Sequence, residues 1–343
     1  MPLEELIPQL EFAQNAALLL GAGISYDWGI PIGYRLPMNF GKHNPKLLHK
    51  HHLYDLWETA NTRAAEERYT KALVNAFRSS EVLQSALLQW MNKQPAMLGY
   101  NPEIKSKQPD DHLIFDIAWL KGIFNHLITT NWDFILESYL YYIYWEAYAN
   151  PFMPTHLQLN NGVEIEIDYA LLFFNDLLNE TETEDELMST PRWDIIARDV
   201  DLPRQKAELH PLWKIHGSPF FLACPLCSGV NRWKLEIDKL DIGDPCPSHP
   251  DHTLGPEIVF WDEQIDHAPR QVWEALQAEL SKTDIVVVCG FSGSGGDEYI
   301  RSVLESHPNT WLVNPDIGAW NPKSINYIKG TGTDLAKALS PLL

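Results

Sequence analysis

Six short stretches carry residue types that could do chemistry. Cys224-Pro-Leu-Cys227 and Cys246-Pro-Ser-His249 are two tight pairs of soft ligands. Thiolates and imidazole at that spacing suit tetrahedral zinc, with His252 as an alternative to His249 for the fourth position. Four protein ligands leave no open coordination site, so such a zinc is structural. Ile215-His216-Gly217-Ser218 ends a predicted strand. His216 is either a packed, hydrogen-bonded residue or, with the following glycine leaving its ring accessible, a general base for neutral pH. Thr129-Thr130-Asn131-Trp132-Asp133 also follows a predicted strand and opens a helix. There Asn131 and Asp133 either cap the helix or face a ligand at the carboxyl edge of a sheet. Gly21-Ala22-Gly23 and Gly290-Phe291-Ser292-Gly293-Ser294-Gly295-Gly296-Asp297 are glycine-rich turns. Each reads either as a plain turn or as a place where a phosphate or ribose approaches the backbone.

These stretches need strands to hold them. Ala16 to Leu20 is an unbroken apolar run, as expected of a strand buried on both faces of a parallel sheet. Asp284 to Cys289 (Asp-Ile-Val-Val-Val-Cys) is the clearest such strand; Phe124 to Thr130, Trp213 to His216 and Trp311 to Asn314 read as further strands. Leu3 to Gln14, His112 to Leu120 and Phe134 to Tyr148 read as helices, as do apolar stripes between Leu53 and Trp90. Alternation of strands with helices predicts an α/β fold with a doubly wound parallel sheet. Residues 38–111 form a helical insertion, residues 151–205 a second insertion containing the acidic run Asn179 to Glu186, and residues 223–254 a zinc module. We take the whole of 1–343 as one domain with these additions.

Bulk properties narrow the function. The net charge of −20, from 26 basic and 46 acidic residues, repels nucleic-acid phosphates and anionic lipid. The densest basic candidate, His49-Lys50-His51-His52, is mostly histidine, so direct nucleic-acid binding is not expected. No apolar run has membrane-spanning length and the start, Met1-Pro2-Leu3-Glu4-Glu5, is unlike a signal peptide, so a cytoplasmic protein is expected.

Gly21-Ala22-Gly23-Ile24-Ser25, followed by Gly29-Ile30-Pro31, resembles the opening of the sirtuin family, which binds and cleaves NAD. A generic dinucleotide motif would have a third glycine where Tyr26 stands. Asn131 and Asp133 match the family's Thr-Gln-Asn-x-Asp stretch, with Thr130 in place of glutamine; His216-Gly217 matches its catalytic histidine in chain order. The cysteine pairs fall where sirtuins carry a zinc insertion, with histidine in place of the fourth cysteine. The resemblance implies a Rossmann-like domain in which Gly21, Ala22, Gly23, Ser25, Pro31, Arg35, Gly290, Ser292, Asp297 and Asn314 bind the dinucleotide. It places Asn131 at the nicotinamide ribose or a water, Asp133 at the carboxamide, and His216 as the base.

Deacylases continue Gly-Ile-Pro with Asp-Phe-Arg; here Ile32-Gly33-Tyr34-Arg35 lacks the acid and has its arginine one place late. Pro256 to Glu263 resembles the segment that pairs with acyl-lysine peptides, but Trp261-Asp262 puts bulk and charge in the peptide's path. Gly290-Phe291-Ser292 with Asp297 is closer to sirtuin-like NAD hydrolases of bacterial defence systems. The expectation is therefore an NAD hydrolase, with NAD as substrate, structural zinc, and either a homo-oligomer or a complex with a separate sensor or effector protein. The alternatives are a deacylase or ADP-ribosyltransferase, and a non-catalytic NAD or ADP-ribose sensor.

Overall fold

In the computed structural model, the structure describes residues 3–28, 35–92, 114–115, 118, 122–132, 156–158, 164–166, 212–224, 226, 233–234, 240–259, 267–293, 297–317, 320 and 324–343. Its centre is a parallel sheet of six strands: β1 (Ala16–Leu20), β2 (His126–Thr129), β3 (Leu212–Lys214), β4 (Ile285–Cys289), β5 (Thr310–Asn314) and β6 (Asn326–Lys329). They lie side by side as β3-β2-β1-β4-β5-β6, every neighbouring pair parallel. The order reverses between β1 and β4, the crevice where ligands bind in doubly wound folds.

The apolar runs form strands because both faces of the sheet are covered. Successive side chains of a strand point to opposite faces. Leu18 and Leu20 of β1 join Val287, Cys289, Trp311 and Val313 in one core with Leu6, Leu10, Phe115 and Leu335. Ala17 and Leu19 join Val286, Val288 and Leu312 in another with Trp273, Leu276, Ile300 and Leu304. Every residue of β1, β4 and β5 is buried.

A second packed unit follows β1 in the chain. Helix α1 (Ile7–Phe12) packs on the sheet; α2 (Arg35–His43), α3 (Pro45–Lys50), α4 (Tyr54–Glu58), α5 (Arg63–Arg78) and α6 (Glu81–Asn92) follow β1. Against them lie an antiparallel sheet of Gly255–Ile258, Gly217–Ala223 and Trp233–Lys234, and the ribbon Pro245–Cys246 with His249–Thr253. Phe40, Tyr69, Phe77 and Leu87 share one core with Leu222, Cys224, Cys246 and Leu254. The described parts of the expected helical insertion and of the cysteine module therefore share one core; residues 93–111 lie outside the described residues. Helices α7 (His267–Leu280), α8 (Glu298–Ser306) and α9 (Gly332–Leu339) follow, Ile114, Phe115 and Ala118 are also helical, and no helix among the described residues is long and apolar enough to cross a membrane.

Some boundaries differ from the sequence reading. The stretch expected as one helix over Leu3 to Gln14 is a 3-10 turn, Leu3–Glu5, followed by α1. Pro8 sits in the first turn of α1, where its missing N–H costs nothing and its ring would not allow a helix to run through. The strand expected over Trp213 to His216 stops at Lys214, and residues 215–216 turn. Pro256 to Ile258 does form a strand, but in the antiparallel sheet. The expected second insertion lies outside the described residues except for a hairpin of His156–Gln158 with Glu164–Glu166.

Candidate functional site

The carboxyl ends of β1 and β4 meet through glycine. Gly21 N–H donates to Cys289 O at 2.9 Å and Gly23 N–H to Gly290 O at 2.8 Å. A Cβ on Gly21 would lie 2.5 Å from Phe291 Cα, and one on Gly23 would lie 2.8 Å from Gly290 O. Gly290 has φ +69, open to glycine and strained for other residues, and a Cβ there would meet Ile24 N at 2.8 Å. Backbone approach between the two loops thus explains all three glycines. A 3-10 helix, Ala22–Trp28, follows β1 in place of an α-helix. Asn314, at the end of β5, donates from Nδ2 to Phe291 O at 2.6 Å and so holds the β4 loop.

Asn131 stands beyond the end of β2, next to β1. Its backbone N–H donates to Thr129 Oγ1 at 3.0 Å, which fixes the turn. Its side-chain amide donates to Gly21 O at 3.2 Å and Ser25 Oγ at 2.8 Å. Asn131 is only 6% exposed, and among the described residues its Oδ1 has no hydrogen-bond partner. Buried polar atoms are paired in the great majority of cases, so a clamped amide with an open acceptor points to a ligand or water. Capping, the alternative for this residue, is not what its side chain does: both of its bonds go to the loop after β1.

His216 occupies the matching place beyond β3. Its Nε2 lies 2.8 Å from Tyr299 Oη and 3.4 Å from Asp297 Oδ1, with the His216 side chain 14% exposed and that of Asp297 21% exposed. Its carbonyl accepts from Val259 N–H at 2.9 Å, tying the turn to the antiparallel sheet. Tyr299, in the first turn of α8, stacks edge-on against Trp273 of α7. Burial, and then the neighbouring Asp297 carboxylate, push the Tyr299 phenol well above its usual range, so it stays a neutral O–H.

The remaining expected residues divide. Ser25 is buried beneath Asn131, Ala22 and Ser292 are exposed on the two loops, and Arg35 is exposed at the start of α2. Pro31, Asp133 and Cys227 lie outside the described residues. Cys224, Cys246 and His249 come together with their ligand atoms within 4.8 Å of one another. His249 Nδ1 is 3.3 Å from Cys224 Sγ and 3.8 Å from Cys246 Sγ. Two buried thiols and an imidazole suit a soft-ligand tetrahedral ion, and the geometry selects His249; His252 is not part of this group. Tyr299 was not singled out from the sequence. An aromatic residue two places after Asp297 carries no local pattern that marks it.

No protein-family profile and no curated protein matches the chain by sequence. Solved structures do match it over its full length. A histidine-to-asparagine mutant of a Sir2 homologue in complex with ADP-ribose aligns at 17% identity and TM-score 0.52, covering 100% of this chain and 96% of that one. A serine-to-alanine mutant of a Sir2 homologue with ADP-ribose aligns at 18% identity and TM-score 0.51, with 100% and 98% covered. A Sir2–p53 peptide–NAD+ complex aligns at 14% identity and TM-score 0.50, again with 100% and 98% covered. The fold is sirtuin-like. In this sirtuin-like fold, the clamped Asn131 and the His216 cluster stand on the carboxyl edge of the sheet, on the β2 and β3 side of the β1–β4 crevice.

Proposed function

We propose that the protein hydrolyses NAD to nicotinamide and ADP-ribose. The observation that carries this reading is Asn131: a buried amide held by Gly21 O and Ser25 Oγ, with its acceptor open at the carboxyl edge of the sheet. In this reading Oδ1 accepts from a ribose hydroxyl or from the attacking water. His216 takes the water's proton as the oxygen bonds to C1′. The C1′–N bond breaks, and its electron pair neutralises the pyridinium of the departing nicotinamide. The ribose develops oxocarbenium character, so correct placement of water contributes more than nucleophile strength.

The two converging loops after β1 and β4 carry the dinucleotide. Gly21 and Gly23 do so by bringing the loops together, and Ala22, Ser292 and Arg35 supply their exposed groups. Cys224, Cys246 and His249, with Cys227 as the fourth ligand, hold a structural zinc that joins the end of the strand Gly217–Ala223 to the ribbon of Pro245–Cys246 with His249–Thr253, beside the core shared with α2–α6. The resemblance to bacterial defence hydrolases makes NAD depletion during antiphage defence the corresponding biological output, with an oligomer or a partner protein raising the rate above the basal turnover of the isolated chain.

The test is incubation of the purified chain with NAD and chromatographic identification of products. Equal amounts of nicotinamide and ADP-ribose, with no protein or peptide acceptor added, are expected. Nicotinamide release only on addition of an acyl-lysine peptide would replace hydrolysis by deacylation. Intact NAD under both conditions would overturn the enzymatic reading in favour of a sensor.

A further inference from the structure

We infer that Asp297 and Tyr299 are positioning residues that hold His216 with its proton on Nε2, leaving Nδ1 as the basic nitrogen. The inference rests on the hydrolase reading for its consequence in turnover, but the proton's place follows from contacts at His216 alone. Nε2 meets two groups from the start of α8, Tyr299 Oη at 2.8 Å and Asp297 Oδ1 at 3.4 Å. An ionised carboxylate only accepts hydrogen bonds, so a lone pair on Nε2 would face its charge at 3.4 Å even with the Tyr299 hydroxyl donating to that nitrogen. An N–H at that position is attracted by the carboxylate and also finds an acceptor in the phenol oxygen.

The phenol cannot take over the carboxylate's role, because burial keeps Tyr299 protonated. It can accept from Nε2–H while turning its own hydrogen elsewhere, and Asp297 lies beside it. Both partners come from one rigid place. Tyr299 is fixed edge-on by Trp273 at a ring separation of 5.2 Å, and Asp297 is the residue preceding α8. From the other side, the antiparallel sheet reaches His216 through the backbone of Val259. Among the described residues, Asp297 and Tyr299 are the titratable groups at hydrogen-bond or ion-pair distance from the ring, and both meet it at Nε2. The ring nitrogen that is hydrogen-bonded sets the tautomer, and the other nitrogen does the acid–base work. Asp297, expected from the sequence to touch the dinucleotide, is thereby assigned to the imidazole.

The experiment is a proton–nitrogen correlation spectrum of the full chain carrying nitrogen-15 histidine, at neutral pH and without NAD. The His216 signal is identified by its loss in His216→Ala. Wild type should show His216 as the neutral Nε2–H tautomer, and Asp297→Asn should shift the population towards Nδ1–H. An Nδ1–H ring in the wild type overturns the inference without any variant being needed. An Nε2–H population unchanged in Asp297→Asn and in Tyr299→Phe overturns the roles of those residues. With NAD, Asp297→Asn should lower kcat at least about tenfold, since a histidine in the wrong tautomer loses most of its value as a base. KM should stay within about twofold, whereas loss of a dinucleotide contact would raise KM. Equal turnover of Asp297→Asn and wild type would overturn the assignment. Wild type with an Nε2–H ring and no turnover would instead overturn the hydrolase reading.

Discussion

Asn131 and His216 occupy equivalent positions on adjacent strands. Thr129 of β2 pairs in register with Lys214 of β3, and each of the two polar residues lies two places further on. Ile215 N–H donates to Thr129 O at 3.1 Å, so the two strand ends stay laced together until the chain turns. One residue is anchored to the loop after β1 and the other to the start of α8. The pair therefore spans elements that are far apart in sequence and converge only in the folded sheet.

If both act on one transition state, their effects will not add. His216→Ala and Asn131→Ala should each lower kcat for NAD hydrolysis by at least about 100-fold, and the double variant should be little worse than either single one. Binding of NAD, measured by calorimetry on His216→Ala, should persist, because that side chain makes no bond to the loop after β1, whereas Asn131→Ala also removes the anchor of that loop. A His216→Ala variant that keeps pace with wild type would show that the base lies elsewhere.

The glycines at the crevice should be sensitive through stability before they are sensitive through chemistry. In Gly21→Ala the new Cβ meets backbone on the opposing loop, Phe291 Cα at 2.5 Å and Gly290 O at 2.6 Å, and backbone cannot rotate away as a side chain can. A loss of about 1–3 kcal/mol, typical of overpacking, is expected in denaturant unfolding. Gly290→Ala should lose a similar amount, since its φ of +69 adds backbone strain to a clash with Ile24 N. Ala22→Gly, on the exposed residue between the two glycines, should change stability by no more than about 1 kcal/mol. Equal effects at positions 21 and 22 would mean that the loops do not pack this closely in solution.

How much of this was legible depends on the range of the determining contact. The runs Ala16 to Leu20 and Ile285 to Cys289 announce themselves because a strand covered on both faces needs apolar residues at every position. The third strand ends two residues before the predicted one does: Ile215 is as apolar and as buried as a strand residue, and its N–H still reaches Thr129 O, but the chain turns there. Gly21-Ala22-Gly23 was recognised as a special turn, but a phosphate and an opposing backbone ask for the same small residue. The string could not say that Gly290 is the neighbour. The merging of the helical insertion with the cysteine module was invisible for a similar reason: Phe77 and Cys246 meet across a gap no local pattern spans. Tyr299 carries no local signal, because its partners His216 and Trp273 lie far from it in sequence.

The shared core makes a prediction about metal. Cys224 and Cys246 are fully buried within the same cluster as Phe77 and Leu87 of α5 and α6. Purified protein should contain one zinc per chain by elemental analysis, and Cys246→Ser should lose it. Hydrogen exchange should then accelerate in Arg63–Asn92 as well as in the cysteine strands, while Ile285–Cys289 stays protected. Folded wild-type protein without bound metal would remove zinc from the description of this chain.

The start of α9 offers a test by pH. Thr331 caps the helix: its hydroxyl oxygen accepts from Asp334 N–H at 3.2 Å, while Asp334 Oδ2 accepts from Thr331 N–H at 2.8 Å and from its hydroxyl at 2.9 Å. The Thr331 backbone hydrogen bond first, then the hydroxyl, hold the Asp334 carboxyl below its usual range; the Lys337 charge helps and slight burial opposes. A carboxyl depressed in the folded state stabilises it above the unfolded pKa of about 4, and that contribution is lost as pH falls through the lower folded value. Asp334→Asn should therefore melt below wild type at pH 7, with the gap closing as the pH is lowered past about 4. Thr331→Ala should cost about 1 kcal/mol at neutral pH through the lost cap. Its consequence should reach the crevice, because Gly332, the first residue of α9, packs so close to Ile24 that a Cβ would lie 2.7 Å from Ile24 Cδ1. Thermal unfolding from pH 7 to pH 3 measures both effects. A gap between wild type and Asp334→Asn that stays constant across that range would show that the charge on Asp334 plays no part in holding this helix beneath the β1 loop.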